Sequence, residues 1–141
     1  YTTEILENDL DVTGPVKAVL HASTSAMDTD WVVRITDVHP DGTSMLVCDG
    51  ILRGRFKDSF EKPVALVPHM PTEFEVDLWA TSHVFQKGHR LRVSVSSSSF
   101  PRWDRNWQTG KNNALESSGI VARNRIFRDE IRPSHVILPL L

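Results

Sequence analysis

The chain has 141 residues, enough for one domain with a sizeable apolar core. Sixteen basic residues against 18 acidic ones give a formal net charge of −2, not the clustered basic excess of a nucleic-acid footprint. No apolar run reaches the length of a membrane span, and the start carries no basic-then-apolar signal pattern.

The first residue is Tyr1, so the chain is read as a processed product or an excised segment whose beginning says little about location; a cytoplasmic location is the separate expectation. From there period two dominates. Val16, Ala18, Leu20 and Ala22 alternate with Lys17, Val19, His21 and Ser23. Trp31, Val33 and Ile35 alternate with Val32, Arg34 and Thr36. Less regular strands are expected near Ser44–Val47 and Ile51–Phe56. Phe74, Val76, Leu78 and Ala80 then oppose Glu73, Glu75, Asp77 and Trp79, and Leu91, Val93 and Val95 oppose Arg90, Arg92 and Ser94. Each set buries one strand face and wets the other. Two more strands are expected within Gly119–Phe127 and His135–Leu140, with short helical turns near Lys57–Glu61 and Asn113–Ser118.

Turn signals fall at Thr13-Gly14-Pro15, Pro40-Asp41-Gly42, Asp49-Gly50 and Lys87-Gly88. There glycine takes positive φ cheaply, and proline or aspartate starts a reversal. The reading is all-β, a single domain over residues 1–141 whose seven or eight strands form a two-sheet sandwich or jelly roll.

Catalytic chemistry finds no support. The G-x-S-x-G pattern is absent, and the run Ser96–Ser99 supplies neither a base nor an oxyanion hole. None of the six histidines belongs to a compact zinc motif, so each is assigned a structural or surface role, and no metal or cofactor is expected. Cys48 is the lone cysteine, which excludes an internal disulfide. Asp28 and Asp30 bracket Thr29 and suit a turn or salt bridges better than a hard cation. Asp37 and Asp49 would meet only if the sheets brought them together. Arg53 and Arg55 flank Gly54, where another backbone can come close, and they are read either as partners of acidic side chains or as a plain exposed pair.

Trp79, Trp103 and Trp107 are candidates for an interface. Trp79 falls on the otherwise polar face of its strand, and the other two follow Pro101. An exposed aromatic can stack on a sugar or pack against a neighbouring domain. The domain contact is preferred, and an independent carbohydrate-binding module is the alternative.

Several ordered stretches coincide: Asp28-Thr29-Asp30-Trp31, Asp37-Val38-His39-Pro40-Asp41-Gly42 and Asp49-Gly50-Ile51-Leu52-Arg53-Gly54-Arg55-Phe56. Val76 to Phe85, Gly88 to Val93, Ser97 to Asn106, Thr109-Gly110 and Pro133 to Pro139 follow. In these the chain resembles the C-terminal, non-catalytic β-domain of the X-Pro dipeptidyl-peptidase family, which includes cocaine-esterase and acylase-like hydrolases. The resemblance implies a galactose-binding-like jelly roll packed against an α/β-hydrolase catalytic domain of the same parent chain. It implies that the parent's Ser, Asp and His lie in that preceding domain, so no residue here inherits a catalytic role. It does not imply sugar binding, because one fold hosts unrelated functions. Trp79, Phe100, Trp103 and Arg105 are the residues expected to support the domain contact or substrate access.

Overall fold

A computed structural model describes residues 1–141. Seven strands form in chain order: β1 (Leu10–Thr24), β2 (Asp30–Val38), β3 (Ser44–Arg53), β4 (Thr72–Phe85), β5 (Arg90–Ser96), β6 (Asn124–Ile126) and β7 (His135–Ile137). They make two antiparallel sheets. One has the order β4-β1-β6 with β7 also on β1, and the other is β3-β2-β5. The sheets face each other as an all-β sandwich, a form consistent with jelly rolls generally.

The core follows from the alternation. Val12, Val16, Ala18, Leu20 and Ala22 of β1 and Phe74, Val76 and Leu78 of β4 meet Trp31, Val33 and Ile35 of β2. The Trp31 and Phe74 rings lie 5.4 Å apart across the gap between the sheets. Burying each such side chain is worth roughly 1.5–3 kcal/mol, so this face carries the fold.

The expected alternation fails at one point on β4. Ala80 is exposed, not buried with Phe74, Val76 and Leu78. Pro15 pairs with Ala80 and Lys17 with Asp77, so Leu78 and Trp79 together oppose Val16. The inserted residue is Trp79, at φ +65°. The bulge reverses parity beyond it, and Phe85 rather than an even-numbered neighbour returns to the core.

Two expected turns are strand interiors. Thr13-Gly14-Pro15 lies within β1, and Asp49-Gly50 lies within β3. At Gly50 an added Cβ would stand 1.9 Å from the Asp77 carbonyl oxygen. This glycine therefore lets β3 lean on β4, and it reverses nothing. Ser44–Val47 and Ile51–Phe56 accordingly belong to one strand, bulged between Cys48 and Leu46, with a 3₁₀ turn at Gly54–Phe56. The last two strands are shorter than expected, three residues each.

The other turn signals hold, but no helical turn forms at Lys57–Glu61, because the 3₁₀ turn lies earlier, at Gly54–Phe56. Pro40-Asp41-Gly42 closes the β2–β3 hairpin, with His39 N–H donating to Thr43 O at 2.8 Å. Lys87-Gly88 carries the chain from β4 to β5 and so from one sheet to the other. A second 3₁₀ turn spans Asn113–Leu115, and the Asn112 side chain caps it by accepting from Ala114 N–H.

Candidate domain-contact surface

The segment after β5 does not hang free. It crosses the outer face of β2 and β3, where Arg34 donates to Ser99 Oγ and Arg102 Nη2 lies 3.0 Å from the buried Asp49 carboxylate. Val32, on the outward parity of β2, is fully buried as well.

Further along, the segment plugs into a buried polar network. Asp28 and Asp30, in and just before β2, are inaccessible to solvent. Arg53, the last residue of β3, grips Asp30 with two bonds of 2.9 and 3.1 Å and reaches Asp104 Oδ1 at 3.0 Å. Asn106 Nδ2 donates to Asp28 Oδ2 at 3.0 Å and to Asp30 Oδ1 at 2.7 Å. The Arg55 backbone N–H donates to Asp28 Oδ1 at 3.0 Å. Gly54 makes this possible: its N–H donates to Thr29 O at 2.7 Å, and a Cβ there would meet that oxygen at 3.1 Å and the Leu66 side chain at 2.7 Å. Asn113 Nδ2 closes the ring on Asp104 Oδ2 at 3.0 Å and on Arg105 O at 2.6 Å.

The electrostatics follow from burial and donors. Loss of solvent pushes the Asp28 carboxyl above its ordinary range, against the opposing pull of Asn106 and Arg55. Asp104, largely exposed, is held below its ordinary range by Asn113 first and Arg53 next. The paired arginines thus serve acidic partners. The Asp28 and Asp30 oxygens are taken up by guanidinium, amide and backbone donors, an arrangement for fastening a loop. Asp37 and Asp49 are not brought together: Asp49 faces outward to Arg102, while Asp37 continues the inward parity of Ile35.

Of the four contact candidates, the structure joins Phe100 with Arg105, whose guanidinium carbon lies 4.9 Å from the ring centroid. Phe100 is 61% exposed. Trp103 lies in the same segment, half-buried, with Arg102 over its ring at 4.8 Å. Trp79 stands elsewhere, on the β4 bulge, 71% exposed and with its backbone N–H on Asp77 Oδ1 at 2.8 Å. Phe100, Asp104, Arg105, Trp107, Asn113 and Ala114 line an open groove of about 540 Å³. Asn106 and Asn113 were not singled out from the sequence. An asparagine in a loop is an ordinary turn residue, and only the contacts of Asn106 with the distant Asp28 and Asp30, and of Asn113 with Asp104, distinguish these two.

Nothing here assembles a nucleophile with a base. The half-buried Cys48 thiol is pushed up to about 11, mainly by burial and then by Asp49, which leaves almost no thiolate near neutrality.

Comparison with known proteins places the chain within a family. Residues 1–137 match the X-Pro dipeptidyl-peptidase C-terminal non-catalytic domain. The chain is 43% identical over 143 residues to the cocaine esterase of Rhodococcus sp. (strain MB1 Bresler), covering 100% of this chain and 25% of that protein. It superimposes with a TM-score of 0.95 on an aminopeptidase from the marine sediment archaeon Thaumarchaeota archaeon, at 37% identity over 100% of this chain and 25% of that one. An alpha-amino acid ester hydrolase gives the same TM-score of 0.95 at 36% identity, again over 100% of this chain and 25% of that chain. The chain thus spans about a quarter of the length of these relatives. It is a non-catalytic all-β accessory domain whose homologues belong to serine-hydrolase families acting on ester or amide bonds. In known members such a domain follows an α/β-hydrolase catalytic domain in the same chain. By sequence and by fold, this chain belongs to the X-Pro dipeptidyl-peptidase C-terminal non-catalytic domain family.

Proposed function

We propose that this domain is the galactose-binding-like jelly roll of a larger serine hydrolase, and that it packs on the catalytic body and shapes substrate access. The parent would cleave esters or amides, with an X-Pro dipeptidyl-peptidase-like enzyme among the forms it takes. There a serine attacks the carbonyl, a histidine moves the protons, and backbone donors hold the oxyanion. This domain supplies none of those groups. Its part is to present a surface that does not move.

The observation that carries this reading is the fastening of the segment bearing Phe100, Trp103 and Arg105. Asp28, Asp30, Arg53 and Asn113 hold Asp104 and Asn106 on either side of Arg105, and Arg34 holds Ser99 beside Phe100. A rim ordered before contact loses little conformational freedom on docking. Trp79 adds a second exposed aromatic in a backbone conformation costing about 1–3 kcal/mol. One face of Phe100 and one of Trp103 are already covered by guanidinium groups, which favours a protein contact over a sugar platform.

The test compares the domain alone with the full-length parent on ester and Xaa-Pro substrates. The domain alone is expected to fold without turnover, and Phe100→Ala with Trp79→Ala in the parent is expected to lower thermal stability or shift KM. Equal turnover by the domain and its parent defeats the reading. Saturable glycan binding lost with Trp79→Ala would instead establish the carbohydrate-binding alternative.

A further inference from the structure

At the opposite parity of β2 from the loop cover, one carboxylate collects three imidazoles. Asp37 is buried, at the end of the inward-facing row Trp31, Val33 and Ile35. His89, in the turn before β5, places Nδ1 2.8 Å from Asp37 Oδ1. His39, just past β2, places Nε2 3.9 Å from Oδ2, beyond hydrogen-bond reach. His83, on β4 in the other sheet, places Nε2 3.0 Å from Oδ2. One donor atom each from Asp37, His39 and His89 fall within 4.8 Å of one another. His39 and His83 are each more than a third exposed, so the cluster opens to solvent.

We propose that Asp37, His39 and His89 form a binding site for a divalent transition metal, with Zn²⁺ the best fit, and that His83 positions the carboxylate from the opposite sheet. Two imidazole nitrogens and one carboxylate form a borderline donor set that suits Zn²⁺, Ni²⁺, Co²⁺ or Cu²⁺. Ca²⁺ and Mg²⁺ require more oxygens than the cluster offers. Zinc bonds of about 2.0–2.2 Å place ligand atoms roughly 3.3 Å apart, so the exposed His39 ring must swing inward by less than its own width. His89 must present the Nδ1 lone pair, so its proton moves to Nε2. His83 remains on Asp37 as the outer partner that orients a ligating carboxylate. The fourth position faces water.

Such an ion joins three elements: the end of β2, the β2–β3 hairpin and the β4–β5 crossover. Through His83 it also couples the two sheets at one end of the sandwich. The site stands apart from the Phe100 loop and does not depend on the function proposed above.

The experiment is titration of the metal-stripped chain with ZnCl₂ alone by calorimetry, in a large excess of Ca²⁺, with Co²⁺ as a visible-absorption probe. One equivalent is expected to bind at micromolar affinity, raise the thermal midpoint by several degrees and give the d–d bands of a nitrogen–oxygen site. His39→Gln is the decisive variant, because His39 makes no hydrogen bond to Asp37 and its part-exposed ring touches the cluster by stacking on His89 at 4.4 Å, so the metal-free fold is expected to survive its loss. It is expected to weaken Zn²⁺ at least tenfold with an unchanged urea midpoint, while His135→Gln retains full affinity. Unsaturable binding, equal affinity in wild type and His39→Gln, or an equal loss in His135→Gln would overturn the proposal.

Discussion

Gly50 and Gly42 show how one residue type answers two different demands. Gly42 sits at φ +89° with nothing within 4 Å of an added Cβ, so only its backbone conformation calls for glycine. Gly50 lies within a strand, and its demand is space, because a Cβ would occupy the Asp77 carbonyl. Gly50→Ala is therefore expected to lose about 3 kcal/mol or more by forcing β3 off β4. Gly42→Ala should lose only about 1 kcal/mol. Urea denaturation of the two variants tests the order, and equal losses would mean β3 shifts freely. Both glycines look alike as Asp-Gly turn signals. Sequence distinguishes them poorly, since the obstacle to Gly50 belongs to a strand more than twenty residues away.

At the scale of elements, the strands were legible because each side chain's environment repeats every second residue. β1 from Val16 onward and the first half of β4 follow that rule, whereas β2 buries both faces over Asp30–Val33. The loop after β5 has no period, and what orders it is contact with carboxylates from the start of β2. Replacing Arg53 by Met would strand the buried Asp30 charge, and a loss of about 3–5 kcal/mol is expected. Adding Asp30→Asn to that variant should restore part of it, because no charge is then left unpaired. Chemical denaturation of the single and double variants measures both. Acid should act on the same loop through Asp104. Its folded value lies below the ordinary 3.8, so its contribution is complete above that pH and is lost as pH falls through the lowered value. The exposure of Asp104 limits this to about 1 kcal/mol or less. Asp28 acts in the opposite sense: its raised value means protonation relieves a burial cost as pH falls. Hydrogen-exchange protection in residues 99–113, after correction for the intrinsic pH dependence of exchange, should thus hold down to about pH 4 and fall below it, and Asp104→Asn should remove the acid step. An Asp104→Asn protein with an unchanged acid step would place the transition elsewhere.

For the whole molecule, alternation and ordered motifs together specified an all-β chain and its family, because both are written in consecutive residues. The two-sheet packing followed, since half-buried strands must cover their apolar faces against another layer. What tertiary structure alone decided were the meetings between separate segments. Arg53 and Asn106 converge on Asp30 from different parts of the chain. His83 and His89 reach Asp37 from the other side of a sheet crossover. The Trp79 bulge turns Ala80 outward against its own sequence parity. Periodicity reports only how each strand divides its faces between core and water. Which polar groups are then buried together depends on how the layers close, and that is a property of the assembled fold.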